Sequence, residues 1–237
     1  AATALGSYIQ TVTGFAMGLI MMGVAVSLNL ASIPFIAAVI SLTALINVLF
    51  AVYKNHHHIH WETMKVATIG MVPAMVGGVL LLDYLSENAV QLLQLILGTV
   101  IIISGLLLAL KPHPAEKPSP PLHTLLTGVA AGLLGGMFST GGPPLVYLMY
   151  KQPLSIDTIR STLLSVFVIA TIFRIAFIAV QGHITTDVAL VVAYSIPVVF
   201  IFTGLGKKFP PPISDTGMRR TAFILLILLG FSTALTA

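Results

Sequence analysis

An all-α polytopic membrane protein is the fold class this sequence predicts, and two observations predict it. Hydrophobic residues make up 57% of the 237 positions and charged residues only 8%, whereas a soluble chain carries roughly a quarter of its residues as charges. Apolar runs of about 20 residues, the length that crosses a bilayer as a helix, recur from one end to the other. No cysteine is present, which removes disulfides, thiolate metal sites and thiol nucleophiles together. The net charge of +4 then reads as a signal of membrane topology, and no nucleic-acid partner is expected.

Eight apolar segments follow in order, over 2–28, 33–53, 63–82, 89–110, 122–150, 158–180, 187–205 and 218–236. Between the fourth and fifth lies KPHPAEKPSPP, Lys111 to Pro121, whose prolines and charges suit an extended aqueous linker. The two sides of this linker repeat at an offset of about 125 residues. HIHWE (His58 to Glu62) matches HITTD (His183 to Asp187), Pro73 falls near Pro197, Gly105 falls on Gly230, and the glycine break around Gly14 falls near Gly141. Shared order and spacing point to a duplication, and two-repeat membrane proteins are typically transporters.

The basic residues decide how the repeats are related. If all eight segments cross, Lys54, Lys65, Lys111 and Lys117 face Lys151, Arg160, Lys207, Lys208, Arg219 and Arg220 across the bilayer, and no sidedness results. If the first and fifth segments dip in and return as broken, re-entrant-like hairpins, all of these residues share one face. The other face then holds Asp83, Glu87, His183 and Asp187. The positive-inside rule selects the second arrangement. Each half then crosses three times, an odd number, so the repeats are inverted.

The breaks belong at the tips of these hairpins. Arms of roughly ten residues reach ~15 Å, half the hydrocarbon thickness, and irregular backbone at that depth must line protein or a polar cavity. In MFSTGGPPLVY, Met137 to Tyr147, Pro143 and Pro144 suit the first turn of a new half-helix, while Gly141 and Gly142 offer close approach and open torsions. In QTVTGFAMG, Gln10 to Gly18, Thr13 is the expected N-cap, ahead of Gly14 and Phe15. Two helix N-termini facing one cavity favour an anion. The plainer role of such residues is close packing and kinking of membrane helices.

Buried charge agrees with an anion. Acidic residues lie at segment ends or in loops, and the one charge well inside a segment is Arg174, either a counter-ion to the substrate or a side chain that snorkels outward. Its mate in the other half, near Leu49, is apolar. Asn47 is a candidate polar liner or interhelical glue. NHHHIH, Asn55 to His60, has metal-ligand density, but it sits on the basic face and no ligand set continues through the segments. A divalent-metal transporter is the alternative it supports. Glu62 and Asp187 open matching helices, where negative charge is favourable. An enzyme is not expected, since the chain has neither a thiol nor an HExxH motif.

TGFAMG and GLLGGMFSTGGPPLVY, set in two four-segment halves, resemble the sulfite exporter TauE/SafE family of membrane transporters over essentially the whole chain. That resemblance implies a carrier of sulfite or small organosulfonates. It also implies a site lined by the hairpin motifs, here Thr13, Gly14 and Phe15 with Ser139, Thr140, Gly141, Gly142 and Pro143. The expectation is a first membrane repeat over 1–110, a cytoplasmic linker over 111–121 and a second repeat over 122–237. The chain would export a small sulfur anion by alternating access. Basic loops would be cytoplasmic, both termini of this chain outside, and Asn47 and Arg174 part of the site. The expected partners are that anion and the lipid bilayer, with no cofactor and no metal. The sequence leaves the oligomeric state open, a homo-oligomer included.

Overall fold

A computed structural model describes residues 2–13, 16–52, 58–109, 115–209 and 224–233. Among these the chain is entirely helical: α1 (Ala2–Thr13), α2 (Met17–Ser27), α3 (Ile33–Val52), α4 (Trp61–Asn88), α5 (Val90–Ala109), α6 (Pro121–Phe138), α7 (Gly142–Lys151), α8 (Ile156–Val180), α9 (Thr186–Lys208) and α10 (Ile224–Thr233). By length and apolarity α3, α4, α5, α6, α8 and α9 can each cross a membrane. The chain is therefore a multi-pass membrane protein.

Local chemistry sets the boundaries. The His60 side chain caps α4 by accepting from Thr63 N–H at 3.4 Å, and Glu62 sits in the first turn. Thr185 caps α9 by accepting from Val188 N–H at 3.3 Å, with Asp187 in the first turn. The two matched sequence motifs thus do the same capping work about 125 residues apart. Pro73 and Pro197 both lie inside the helices that follow.

The first and fifth apolar segments are broken as expected, but not capped as expected. Thr13 closes α1 instead of starting the next helix. The N-cap of α2 is Ala16, in the left-handed region with φ 90°, and no side chain bonds to the helix end there. Gly14 and Phe15 lie outside the described residues. In the second break the left-handed residue is Ser139, φ 56°, the C-cap of α6. Gly141 has φ −70°, so its value is close approach and not torsional freedom.

Both breaks fold the chain back on itself. Ser7 Oγ lies 3.9 Å from Met17 Sδ, linking the middle of α1 to the first residue of α2. A Cβ on Gly141 would collide with the Ala131 carbonyl oxygen, about two turns before the end of α6. The second hairpin closes at its mouth, where Ser119 N–H donates to Gln152 Oε1 at 3.0 Å and Ala115 N–H to the Lys151 carbonyl at 2.9 Å. The α6 arm is longer than the ten residues expected. It runs for 18 residues, because it continues past the level of Ala131 before turning.

The halves interleave. α1 packs against α9 and α6 against α4; α3 lies on α8 and α9, and α8 on α3 and α4. The α4–α6 seam is built from small residues at helical spacing. Gly128, Gly132 and Gly136 of α6 bring backbone against the carbonyls of Ala67, Met71 and Met75, and Gly70 and Gly78 of α4 return the contact at Leu125 and Leu133. Any side chain at these glycines would strike backbone, which is how small-residue stripes let membrane helices approach closely. Met17 and Phe138, which flank the two breaks, are both fully buried.

Candidate functional site

The two breaks meet. Gly18, in the first turn of α2, packs on the second break so closely that a Cβ there would lie 2.8 Å from the Ser139 carbonyl oxygen and 2.7 Å from Thr140 Cγ2. Beside this contact is a cavity of about 70 Å³, walled by both breaks and by α3, α4 and α8. One water needs ~10–15 Å³ on the same measure, so the space suits a ligand of a few heavy atoms.

Ser139, Thr140, Gly141, Gly142 and Pro143 all line the cavity. Thr140 is 5% exposed, and its hydroxyl has no hydrogen-bond partner. A buried, unbonded hydroxyl costs about 1–3 kcal/mol, so its place on a cavity wall marks a position at which a ligand can supply the missing bond. α7 opens on Gly142, Pro143 and Pro144. The prolines carry no N–H, so Gly142 is the only one of its first three residues with a donor. The start of α2 is richer: Met17, Gly18 and Leu19 have no carbonyl four residues back within their helix.

Arg174 is 3% exposed, so it does not snorkel. Its Nε and Nη2 donate to the Gly136 carbonyl at 3.2 and 2.9 Å, and Nη1 donates to the Ala37 carbonyl at 3.2 Å and to Ser41 Oγ. Ser41 in turn donates to the Ala37 carbonyl at 2.8 Å and shares a hydrogen bond with Ser139 Oγ at 2.9 Å. The guanidinium therefore caps the carbonyl end of α6 and ties it to α3, compensating the negative pole of that helix. One of its five N–H groups remains uncommitted, and the side chain lines the cavity.

Asn47 is fully buried but away from the cavity wall. It accepts from Gln10 Nε2 at 2.9 Å and donates to Thr203 Oγ1 at 2.6 Å, joining α1, α3 and α9. It touches the cavity only through Gln10, which lines it. Of the first motif, the structure brings Gly18 to the site; Gly14 and Phe15 lie outside the described residues, as do His56 and His57 of the histidine cluster. His60 is occupied as a helix cap, and among the described residues no three His, Asp or Glu side chains gather as metal ligands do. Gln10, Gly18, Ser41 and Thr171 are site residues that sequence reasoning missed. Ser41 had a signal, a hydroxyl in mid-segment; the Gly136 carbonyl had none, since every residue carries one.

The arrangement gathers two helix N-termini, one guanidinium edge and one unbonded hydroxyl around a small space, with no carboxylate among the described residues of its wall. Such a set can hold an oxyanion.

The profile of the family described as Sulfite exporter TauE/SafE matches residues 1–233. The chain is 45% identical, over 98% of its length and 91% of the relative, to a protein of Cupriavidus necator named "Probable sulfite/organosulfonate exporter TauE". It is 27% identical, over 75% of its length and 74% of the relative, to a protein of Comamonas testosteroni named "Probable inner membrane transporter protein TsaS". No solved structure matches the chain.

Proposed function

Because the chain belongs to the sulfite exporter TauE/SafE family, a family of membrane transporters and not of enzymes, we propose that it exports a small sulfur oxyanion or sulfonate across the inner membrane. The observation that carries this reading is the unpartnered Thr140 hydroxyl on the wall of the cavity at which both helix breaks converge. Sulfite has four heavy atoms and only acceptor oxygens in its dianionic form, which fits a small space with donors on several sides. The name of the Cupriavidus relative points to the same substrate class. Export needs no coupling group, since an anion leaving a negative interior gains ~2.3 kcal/mol per charge per 100 mV.

The mechanism is alternating access around this cavity by two inverted repeats, 1–110 and 122–237, joined by the linker 111–121. Reciprocal packing supports the repeat. The contact of α1 with α9 has its mate in α6 with α4, and α3 with α9 has its mate in α8 with α4. The meeting of α5 with α7 is mirrored where Gly23 of α2 lies against Leu229 of α10. Each half then crosses three times beside its hairpin, basic loops face the cytoplasm, and both ends of this chain lie outside.

The test is efflux from proteoliposomes loaded with labelled sulfite. A potassium diffusion potential, inside negative, should accelerate sulfite release, and small sulfonates should compete. Release no faster than from empty-lipid controls, or movement of divalent cations alone, would overturn the proposal.

A further inference from the structure

α4 continues past the expected end of its segment and carries Asp83 with it. This carboxylate reaches the turn between α8 and α9 in the other half of the chain. Its Oδ2 accepts from Gln181 Nε2 at 3.2 Å, and its Oδ1 lies 3.7 Å from His183 Nε2. The turn is rigid: Gln181, Gly182 and His183 donate their N–H groups to the carbonyls of Phe177, Ala179 and Ile178, and Gly182 takes φ 78°. That left-handed closure is the standard glycine stop of a helix, and here it aims two side chains at one carboxylate.

The pair sits beyond the end of a crevice. Between α4 and α8 runs an apolar crevice of about 270 Å³, lined on one side by Val72 to Val79 and on the other by Phe173 to Val180. It shares Met75 and Arg174 with the central cavity. Asp83 is one turn beyond Val79, and Gln181 follows Val180. Arg174, Ile178 and Gln181 recur at the spacing of one helix face, so the face that holds the cavity's guanidinium also holds the Asp83 contact.

Building on the transporter reading above, we propose that Asp83 and His183 form a proton-binding site that latches this crevice. Proton uptake on the imidazole turns a contact with a carboxylate into an ion pair and closes the outer end of α4 on α8; proton loss leaves only the Gln181 bond. Losing that proton removes the positive charge, so the crevice opens as pH rises. Among the described residues, the other titratable or charged groups at this end are Glu87 and Tyr84 on α4, Asp187 in the first turn of α9, and Arg174 deeper on α8. None of the three on α4 and α9 makes a hydrogen bond or ion pair with His183 among the described residues.

Labelling kinetics test this in nanodiscs. The chain has no cysteine, so Val76→Cys, in the crevice wall, is the only thiol. Its labelling rate is taken as a ratio, His183→Gln background over His183, which cancels the thiol's own pH dependence. The ratio should be about two- to fivefold at about pH 5.5, as for a part-exposed ion pair, and fall to one by about pH 8.5. His183→Lys, with a permanent charge, should label as slowly as the protonated protein at both pH values. A flat ratio, or His183→Lys behaving like His183→Gln, would overturn the latch. Sulfite binding measured on the same preparations keeps the two readings apart: binding with a flat ratio removes only the latch, and the expected ratio without binding removes only the substrate.

Discussion

The backbone N–H of Ser119 donates to Gln152 Oε1 at 3.0 Å, joining the second residue before α6 to the residue after α7. The chain therefore leaves the α6–α7 unit beside the point at which it went in. Cysteines at the exposed positions Lys117 and Lys151 should label from the same, cytoplasmic side in sealed vesicles. Labelling from opposite sides would defeat the hairpin and the inverted repeat with it.

Thr140 gives a prediction with two opposite signs. Thr140→Val keeps the shape and removes a hydroxyl that has no partner, so the protein should melt at the same temperature or higher. Sulfite affinity should fall by about fivefold, the worth of one hydrogen bond of ~1 kcal/mol. Lower stability with unchanged affinity would mean that the hydroxyl serves the fold.

Gly18 tests the contact between the breaks. Gly18→Ala places a methyl against the Ser139 carbonyl and Thr140, and should lower both melting temperature and sulfite affinity by forcing α2 away from the break between α6 and α7. Gly204→Ala is the control, because no described residue lies within 4 Å of a Cβ at that position. Equal behaviour of the two variants in thermal unfolding would contradict the packing described.

Arg174 holds the carbonyl end of α6, so its loss should first be a loss of stability. Arg174→Leu leaves the Gly136 carbonyl without its guanidinium partner, at a cost on the order of 1–3 kcal/mol, and removes the charge beside the cavity. Arg174→Lys should melt nearly as early, since an ammonium cannot span Gly136, Ala37 and Ser41 together. It should still bind sulfite better than Arg174→Leu. Wild-type melting temperature in Arg174→Leu would contradict the capping role.

Asn47 separates fold from site in the same way. Asn47→Leu breaks the bonds to Gln10 and Thr203, and thermal unfolding should show a loss of about 1–3 kcal/mol. Sulfite affinity, measured on the folded fraction, should change less than in Thr140→Val.

Much of this architecture is legible in the sequence because lipid imposes it. Six long apolar runs fall on helices able to span a membrane, and the glycine–proline break before α7 is visible because prolines are harmless only where N–H groups are already free. Sequence does not say which residue takes the left-handed turn. Ala16 and Ser139 take it, while the neighbouring glycine, Gly141, is needed for its missing side chain, and Thr13, whose type suits a cap, ends α1 instead. Nor does an apolar run reveal that α6 passes its partner's level before turning. Arg174 stood out by its depth, but its role depends on a backbone carbonyl at Gly136, and backbone leaves no mark in composition. Asp83 marks the end of a segment by charge, yet α4 runs on to Asn88, and the carboxylate accepts from Gln181 of the other half.

The central claim is that the small anion binds where the two broken helices meet. Selenite, a heavier analogue of sulfite, tests it directly by anomalous scattering from soaked crystals. The strongest selenium peak should lie in the cavity bounded by Gly18, Thr140 and Arg174, and should vanish when excess sulfite is added. Selenium bound elsewhere, with that cavity holding only water, would contradict the account.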